Sequence, residues 1–424
     1  MGGMRLLALA VVSLILAGIP PACAQLSPPL ADATAAMAGP WVELGPDNKL
    51  IVRIVVGSGV RSCPSVVADG APVEARQRGV ADGAFAITVC SAEVPVTAAK
   101  LAVGRVALPT VPPQINRIVV FGDTGCRIEG KASQDCNDKK AWPFPVLAKK
   151  AADKKPDLVI HVGDYYYREN ACPANNKGCA GSPHGDNWGV WYADFFEPAA
   201  PLLAVAPWVV VRGNHEVCRR GGKGWLRLLD PHSGIAECND RSEPYRLHVG
   251  GLDLLVFDSA DADDFKAEPA KVAAYAAQLA ALLKDAPVHS WMLTHRPVWA
   301  LAQANLPGVP LNLTEQSAIR GHVPPGLDMV VSGHVHDFTS YEFGAARPSQ
   351  LIVGVGGDTM LDLANYPLVG ADIDGMKTAK GFALMRFGFF VMERNAGGWD
   401  GTLYGDDDSV LARCRIAGRE LDCK

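Results

Sequence analysis

Five short apolar runs, each closed by glycine with an acid or amide, or by histidine, constrain this chain more than any other feature of its 424 residues. Ile118-Val-Val-Phe121 runs into Gly122-Asp123-Thr-Gly125, and Asp157-Leu-Val-Ile-His-Val162 runs into Gly163-Asp164-Tyr-Tyr-Tyr167. Trp208–Val211 is followed by Arg212-Gly213-Asn214-His215-Glu216, Trp291–Leu293 by Thr294-His295, and Met329–Val331 by Ser332-Gly333-His334-Val-His336. Short apolar runs bounded by turn residues read as buried strands. Trp142 to Lys154 fits an amphipathic helix between the first two runs, and Ala270 to Lys284, with Pro269 at its start, fits a second helix. Strands alternating with helices predict an α/β domain. In open α/β sheets, ligands bind beyond the carboxyl ends of the strands. A lone Gly-Asp there is ordinarily a turn. Five such ends in order, each offering Asp, Asn, His or Tyr, predict a site holding two metal ions.

Those residue types suit phosphoryl chemistry. Two cations about 3.5 Å apart can clamp a phosphoryl group and hold the attacking oxygen. One carboxylate must bridge them, and Asp164, on an early strand between the other ligands, is the candidate. Hard oxygen donors suit Fe(III), whereas imidazoles suit Zn, Mn or Fe(II). Metal binding also lowers the pKa of water, so hydroxide exists near neutral pH.

The ordered blocks Gly-Asp-x-Gly, Gly-Asp-x-x-Tyr, Gly-Asn-His-Glu, x-x-x-His and Gly-His-x-His resemble the calcineurin-like metallophosphoesterase superfamily, over about Arg117 to Tyr341. Asp123-Thr-Gly125, with Tyr167 three residues after Asp164, is similar to the purple acid phosphatase branch. The resemblance implies a β-sandwich flanked by helices, in α/β/β/α layers, preceded by a small all-β sandwich domain. It implies a ferric site of Asp123, Asp164, Tyr167 and His336. A second site for Zn, Mn or Fe(II) would use Asp164, Asn214, His295 and His334. His215 would bind phosphate or protonate the leaving group, and Glu216 would orient His215 or its loop. Only Tyr167 has the family spacing, although Tyr165 and Tyr166 stand beside it. Arg296 has two readings, a phosphate clamp or the partner of a carboxylate.

The remainder sets the context. Met1 to Ala24 reads as a signal peptide: Arg5, an apolar run from Leu6 to Ala17, and Ala22-Cys23-Ala24 before Gln25. No later run is a transmembrane segment. Residues 25–112, with β-branched runs at 49–56 and 84–90 and turns at Asp69-Gly70 and Asp82-Gly83, read as the N-terminal β-sandwich domain, and 113–424 as the catalytic domain. The tail from Leu351 adds strands to the α/β domain or packs on the sandwich; both readings stay open. Setting Cys23 aside leaves ten of the 11 cysteines, falling as neighbours: 63/90, 126/136, 172/179, 218/238 and 414/423. Nearest-neighbour disulfides are the working assignment in an oxidising, secreted or periplasmic setting. No C-x-x-C pair supports a zinc ribbon.

Forty basic against 45 acidic side chains give a net charge of −5, without the footprint of a nucleic-acid scaffold binder. Among the other histidines, His161 reads as core and His184 as loop, while His232, His248, His289 and His322 have no supporting pattern. Asp258 is a strand-end acid suited to a supporting hydrogen bond. Asn312-Leu-Thr314 is a glycosylation sequon or an ordinary loop. The leading function is an exported phosphatase of acid type, cleaving small phosphate monoesters by attack of metal-bound hydroxide. The alternatives are a phosphodiesterase acting on nucleotides or phospholipid headgroups, and a non-catalytic binding protein on the same fold.

Overall fold

The computed structural model describes Met1 and residues 38–129, 132–234, 237–302, 308–360 and 367–424. The signal segment beyond Met1, with Cys23 and the cleavage site, lies outside the described residues.

The apolar runs form the centres of two sheets. Arg117–Phe121, Leu158–His161 and Trp208–Val210 pair in parallel within an eleven-stranded sheet, their ends level at Phe121, His161 and Val210. Leu252–Val256, Ser290–Leu293, Leu327–Ser332 and Ser349–Val353 pair in parallel within a seven-stranded sheet. Ile118, Val120, Ile160 and Val209 of the first sheet share one core with Leu254, Leu293, Met329 and Leu351 of the second. Burying each such side chain contributes roughly 1.5–3 kcal/mol. Because alternate residues face opposite ways, Val119, Phe121, Val159 and Val210 point outward, onto helical segments.

Helix Phe144–Asp153 covers that outer face with Phe144, Leu147, Ala148 and Ala151, the 3.6-residue repeat of an amphipathic helix. Helix Pro269–Leu283 covers the second sheet with Tyr275, Leu279, Leu282 and Leu283. The layers are therefore α/β/β/α, with the carboxyl ends of both parallel sets at one edge.

The N-terminal region is all-β. Ala38–Gly45 pairs parallel to Trp208–Val210 at Glu43 and Trp208, so Ala38–Gly45, Lys49–Gly57, Ile87–Pro95 and Arg76–Gly79 continue the first sheet. A four-stranded sheet of residues between Val66 and Leu108 packs over them. The tail adds to the α/β layers: Lys380–Leu384 joins the second sheet, and the strands from Gly388 to Cys423 extend the first beyond Arg117–Phe121.

Five disulfides join Cys63–Cys90, Cys126–Cys136, Cys172–Cys179, Cys218–Cys238 and Cys414–Cys423, the neighbour pairs expected. Three of them close the loops that follow the first three parallel strands. Asn312 is fully buried and caps helix Leu313–Ile319 by accepting from the Glu315 N–H, so its amide is withdrawn from any surface modification. Among the described residues no helix is long and apolar enough to cross a membrane.

Candidate metal centre

Backbone contacts between the loops build the site. Asp123 N–H donates to Gly163 O, Thr124 N–H to Asp164 O, and Asp358 N–H to Asp123 O. Glu216 binds the second block to the third: its carboxylate accepts from the N–H groups of Gly213, Asp164, Tyr165 and Tyr166. It thus orients the loop and not the His215 ring. Such close approach excludes side chains. A Cβ at Gly213 would lie 2.1 Å from Asp164 Oδ1, and one at Gly163, where φ is +104°, would lie 2.4 Å from His295 Nδ1. Asp123, Asp164 and His334 themselves hold positive φ of 57°, 61° and 70°. Non-glycine residues take that region at a cost, and they cluster at functional sites.

Two donor groups meet at Asp164. Tyr167 Oη lies 2.8 Å from Asp164 Oδ2, 3.1 Å from Asp123 Oδ1 and 3.0 Å from His336 Nε2. On the other side, His295 Nε2 lies 3.2 Å from Asp164 Oδ2 and 2.9 Å from Asn214 Oδ1. Asp164, His295 and His334 each place one donor atom within 4.8 Å of the others. Of the three successive tyrosines, Tyr165 sends its hydroxyl to the carbonyls of His161 and Val211, and Tyr166 stacks on Trp191. Tyr167 alone turns its hydroxyl toward Asp123, Asp164 and His336.

Outer partners determine which imidazole nitrogen is left for a ligand. A carbonyl only accepts, so the 2.8 Å contacts from His295 Nδ1 to Val162 O and from His336 Nδ1 to Thr359 O place protons on those nitrogens. Nε2 of both rings then faces the other donors. His334 is the reverse: its Nε2 lies 3.0 Å from Asp264 Oδ2, leaving Nδ1.

Electrostatics favour cations here. Burial pushes the Tyr167 phenol well above its ordinary range, and Asp164 and Asp123 push it further. Burial alone would raise Asp164, but His295 and His215 hold it well below the usual carboxylate range. Burial lowers His295 and His336, but Asp164 lifts the first to about 9 and Asp358 with Asp123 lifts the second to about 9. Two carboxylates, a phenol and imidazoles so enclosed form a donor set that fits cations of the iron and zinc class.

The neighbouring residues carry positive charge and proton-transfer groups. His215 stacks on Tyr167 at 3.8 Å, and its Nδ1 lies 2.7 Å from Glu169 Oε1. Arg220 contacts both Glu169 and His215. Arg296 binds Asp264 through Nη1, 2.5 Å from Oδ2, and its buried Nε has no partner. A pocket of about 420 Å³ beside the centre is lined by Asn214 and by charges of both signs, Arg219, Arg220, Lys271 and Arg296 facing Asp240, Asp261, Asp263 and Asp264. Arg127 lies over the Tyr167 ring and pairs with Asp358, which in turn approaches His336 Nδ1 at 3.3 Å.

Glu169, Arg220, Asp264, Arg127 and Asp358 are the residues sequence reading missed. Asp358 carried a usable signal. It ends Gly354-Val-Gly-Gly-Asp358 directly after the strand Ser349–Val353, a sixth strand end of the same kind. The other histidines stay outside the centre. His161 is buried, stacks on Tyr165 and meets Thr124 Oγ1 at 2.9 Å, whereas His232, His248 and His289 pair with Asp230, Asp253 and Asp328. Asp258 accepts from the N–H groups of Ser242 and Ala260 and faces Arg212, whose Nε donates to Glu216 O.

A fold with strand ends from two sheets converging on paired acids, an amide and histidines defines a metal-dependent phosphoesterase class. The chain belongs to the calcineurin-like phosphoesterase family, whose model matches residues 116–338. Membership implies a dinuclear metal site and phosphoester hydrolysis. Among solved structures, a purple acid phosphatase isolated from yellow lupin (Lupinus luteus) seeds is similar at 15% identity, with a TM-score of 0.57, covering 88% of this chain and 72% of that one. GAP50, the anchor in the inner membrane complex of Plasmodium, matches at 14% identity over 72% of this chain and 89% of its own, with a TM-score of 0.40. The first likeness concerns the fold alone, and the second carries no argument. No curated protein matches the sequence closely enough to count as a relative.

Proposed function

We propose that the protein is an exported acid phosphatase of the purple type, hydrolysing small phosphate monoesters. The observation that carries this reading is Asp164 standing between two donor groups, with the Tyr167 hydroxyl in one of them. Asp123, Asp164, Tyr167 and His336 would hold Fe(III). Asp164, Asn214, His295 and His334 would hold Zn, Mn or Fe(II). When bound, the two cations supply Lewis-acid stabilisation of the phosphoryl oxygens and activate the attacking water.

The chain's own groups do the rest. Arg296, with its free Nε, and Arg220 bind the equatorial oxygens of a dianionic phosphate. Glu169 accepts from His215 Nδ1 and so directs Nε2 toward the centre. As water adds to phosphorus and the ester P–O bond breaks, the Nε2 proton passes to the departing alkoxide, releasing alcohol and inorganic phosphate. Five disulfides support an oxidising destination.

The test compares p-nitrophenyl phosphate with bis-p-nitrophenyl phosphate across pH, using metal-reconstituted protein. Preference for the monoester at acidic pH is expected, along with a visible tyrosinate–iron band that disappears in Tyr167→Phe. Preference for the diester would move the assignment to phosphodiesters. Activity on neither, with two ions bound, would refute hydrolysis.

A further inference from the structure

The three histidines of the centre differ in how their outer nitrogens are held. Those of His295 and His336 rest on backbone carbonyls, Val162 O and Thr359 O, with Asp358 Oδ2 farther off, 3.3 Å from His336 Nδ1. That of His334 has a carboxylate as its acceptor, Asp264 Oδ2 at 3.0 Å, with Arg296 Nη1 also 2.8 Å away; a guanidinium only donates, so the carboxylate takes the Nε2 proton. Asp264 belongs to none of the five blocks. It lies in the loop beyond the strand Leu252–Val256, and that loop is tied to helix Leu313–Ile319 by Leu313 N–H donating to Asp264 O. Its Oδ2 also receives Arg296 Nη1, while Oδ1 is buried without a partner.

A carboxylate behind a histidine makes the ring a stronger donor and holds its orientation, and loss of such a partner typically costs 10–100-fold in metal affinity. We infer that Asp264 is a positioning residue for the second metal site: it directs His334 Nδ1 to the ion and holds Arg296 over the adjoining pocket. This rests on the dinuclear reading above. Asp264 touches neither ion nor substrate in this role. The ferric group, whose histidine is His336, is independent of it.

Zinc(II) titration of iron-loaded wild type, Asp264→Asn and Asp264→Ala, with bound metals counted by mass spectrometry, tests the inference. Zinc affinity should fall about 10–100-fold in Asp264→Ala and by less in Asp264→Asn, whose amide oxygen still accepts. Iron content and the tyrosinate band should persist in both. Arg296→Ala should keep zinc affinity within about twofold and weaken inhibition by inorganic phosphate instead. Melting of the metal-free variants checks folding, and the isosteric Asn keeps the test open if Ala does not fold. Wild-type zinc affinity in both Asp264 variants would overturn the inference and leave the dinuclear reading intact. Equal zinc loss in Arg296→Ala would also overturn it. A wild type that binds fewer than two ions would overturn the dinuclear reading, and the role of Asp264 with it.

Discussion

Replacing Glu169 by Gln tests how protonation of the leaving group is arranged. The Glu169 carboxylate lies 2.7 Å from His215 Nδ1, with the side chains 17% and 5% exposed. Burial works to raise the Glu169 carboxyl, but its contacts with His215 and Arg220 hold it below its ordinary value. It is therefore ionised at neutral pH and accepts the Nδ1–H of His215, the residue proposed to protonate the leaving group. A hydrogen bond to a charged group contributes roughly 1.5–3 kcal/mol. Gln keeps an accepting oxygen, so the change reduces this to the roughly 0.5–1.5 kcal/mol of a neutral bond; a difference of about 1–1.5 kcal/mol, at about 1.4 kcal/mol per factor of ten, predicts about a 5- to 12-fold fall in kcat. That is a fraction of the ~10²–10⁴-fold contribution of a general acid, as expected when the proton donor stays in place. The loss should depend on the leaving group. An alkyl phosphate must be protonated as it departs and should show the full effect. p-Nitrophenyl phosphate departs as a stabilised phenolate and should lose only a factor of a few. The assay is kcat for both substrates in wild type, Glu169→Gln, His215→Asn and the double variant. Because Glu169 acts through His215, the double variant should be no slower than His215→Asn alone. Equal losses on both substrates, or additive losses in the double variant, would refute the reasoning.

Two further outcomes follow from the packing. A Cβ in Gly213→Ala meets Asp164 N at 2.3 Å, where ordinary contact begins near 3.4 Å, so Asp164 or the Asn214 turn must move by about 1 Å. A displacement of that size costs on the order of 10²-fold in rate, and bound metal, counted by mass spectrometry, should fall with it. Burial raises the Glu315 carboxyl from 4.5 to about 8, so between those pH values the unfolded chain has released a proton that the folded protein keeps. Stability is then fully present below pH 4.5 and declines as pH rises toward 8, by up to roughly 4–5 kcal/mol. Glu315→Gln, whose oxygen can still accept from Asn312 Nδ2, should melt near wild type at pH 4.5 and several degrees higher at pH 8. Equal melting temperatures at pH 8 would show that the carboxyl carries no such penalty.

The residues proposed for the metal centre were legible because nearly all of them stand directly after a recognisable apolar run. Asp123, Asp164, Asn214, His295, His334 and His336 are placed by strand ends, and a strand end is a local property of sequence. The disulfides were legible for a related reason: short loops bring neighbouring cysteines together at little entropic cost. Glu169 and Arg220 were not legible. They lie 46 and five residues from His215 on irregular loops, and no repeat relates them. Asp264 and Asp358 reach the centre through side chains 70 and 22 residues from the histidines they support. Their roles depend on how two sheets stack.

The same distinction holds for the whole chain. By itself the sequence determined the strands, their order, the glycines that permit close approach and the chemical types at each carboxyl end, since all of these follow from local pattern. Tertiary structure decided that Ala38–Gly45 pairs with Trp208–Val210 and that the tail extends the catalytic sheet. It selected the hydroxyl of Tyr167 from three successive tyrosines. It also engaged Nε2 of His334, but Nδ1 of His295 and His336, with outer partners. Those outcomes depend on register and on hydrogen-bond partners distant in sequence, which exist only once the two sheets have closed on one core.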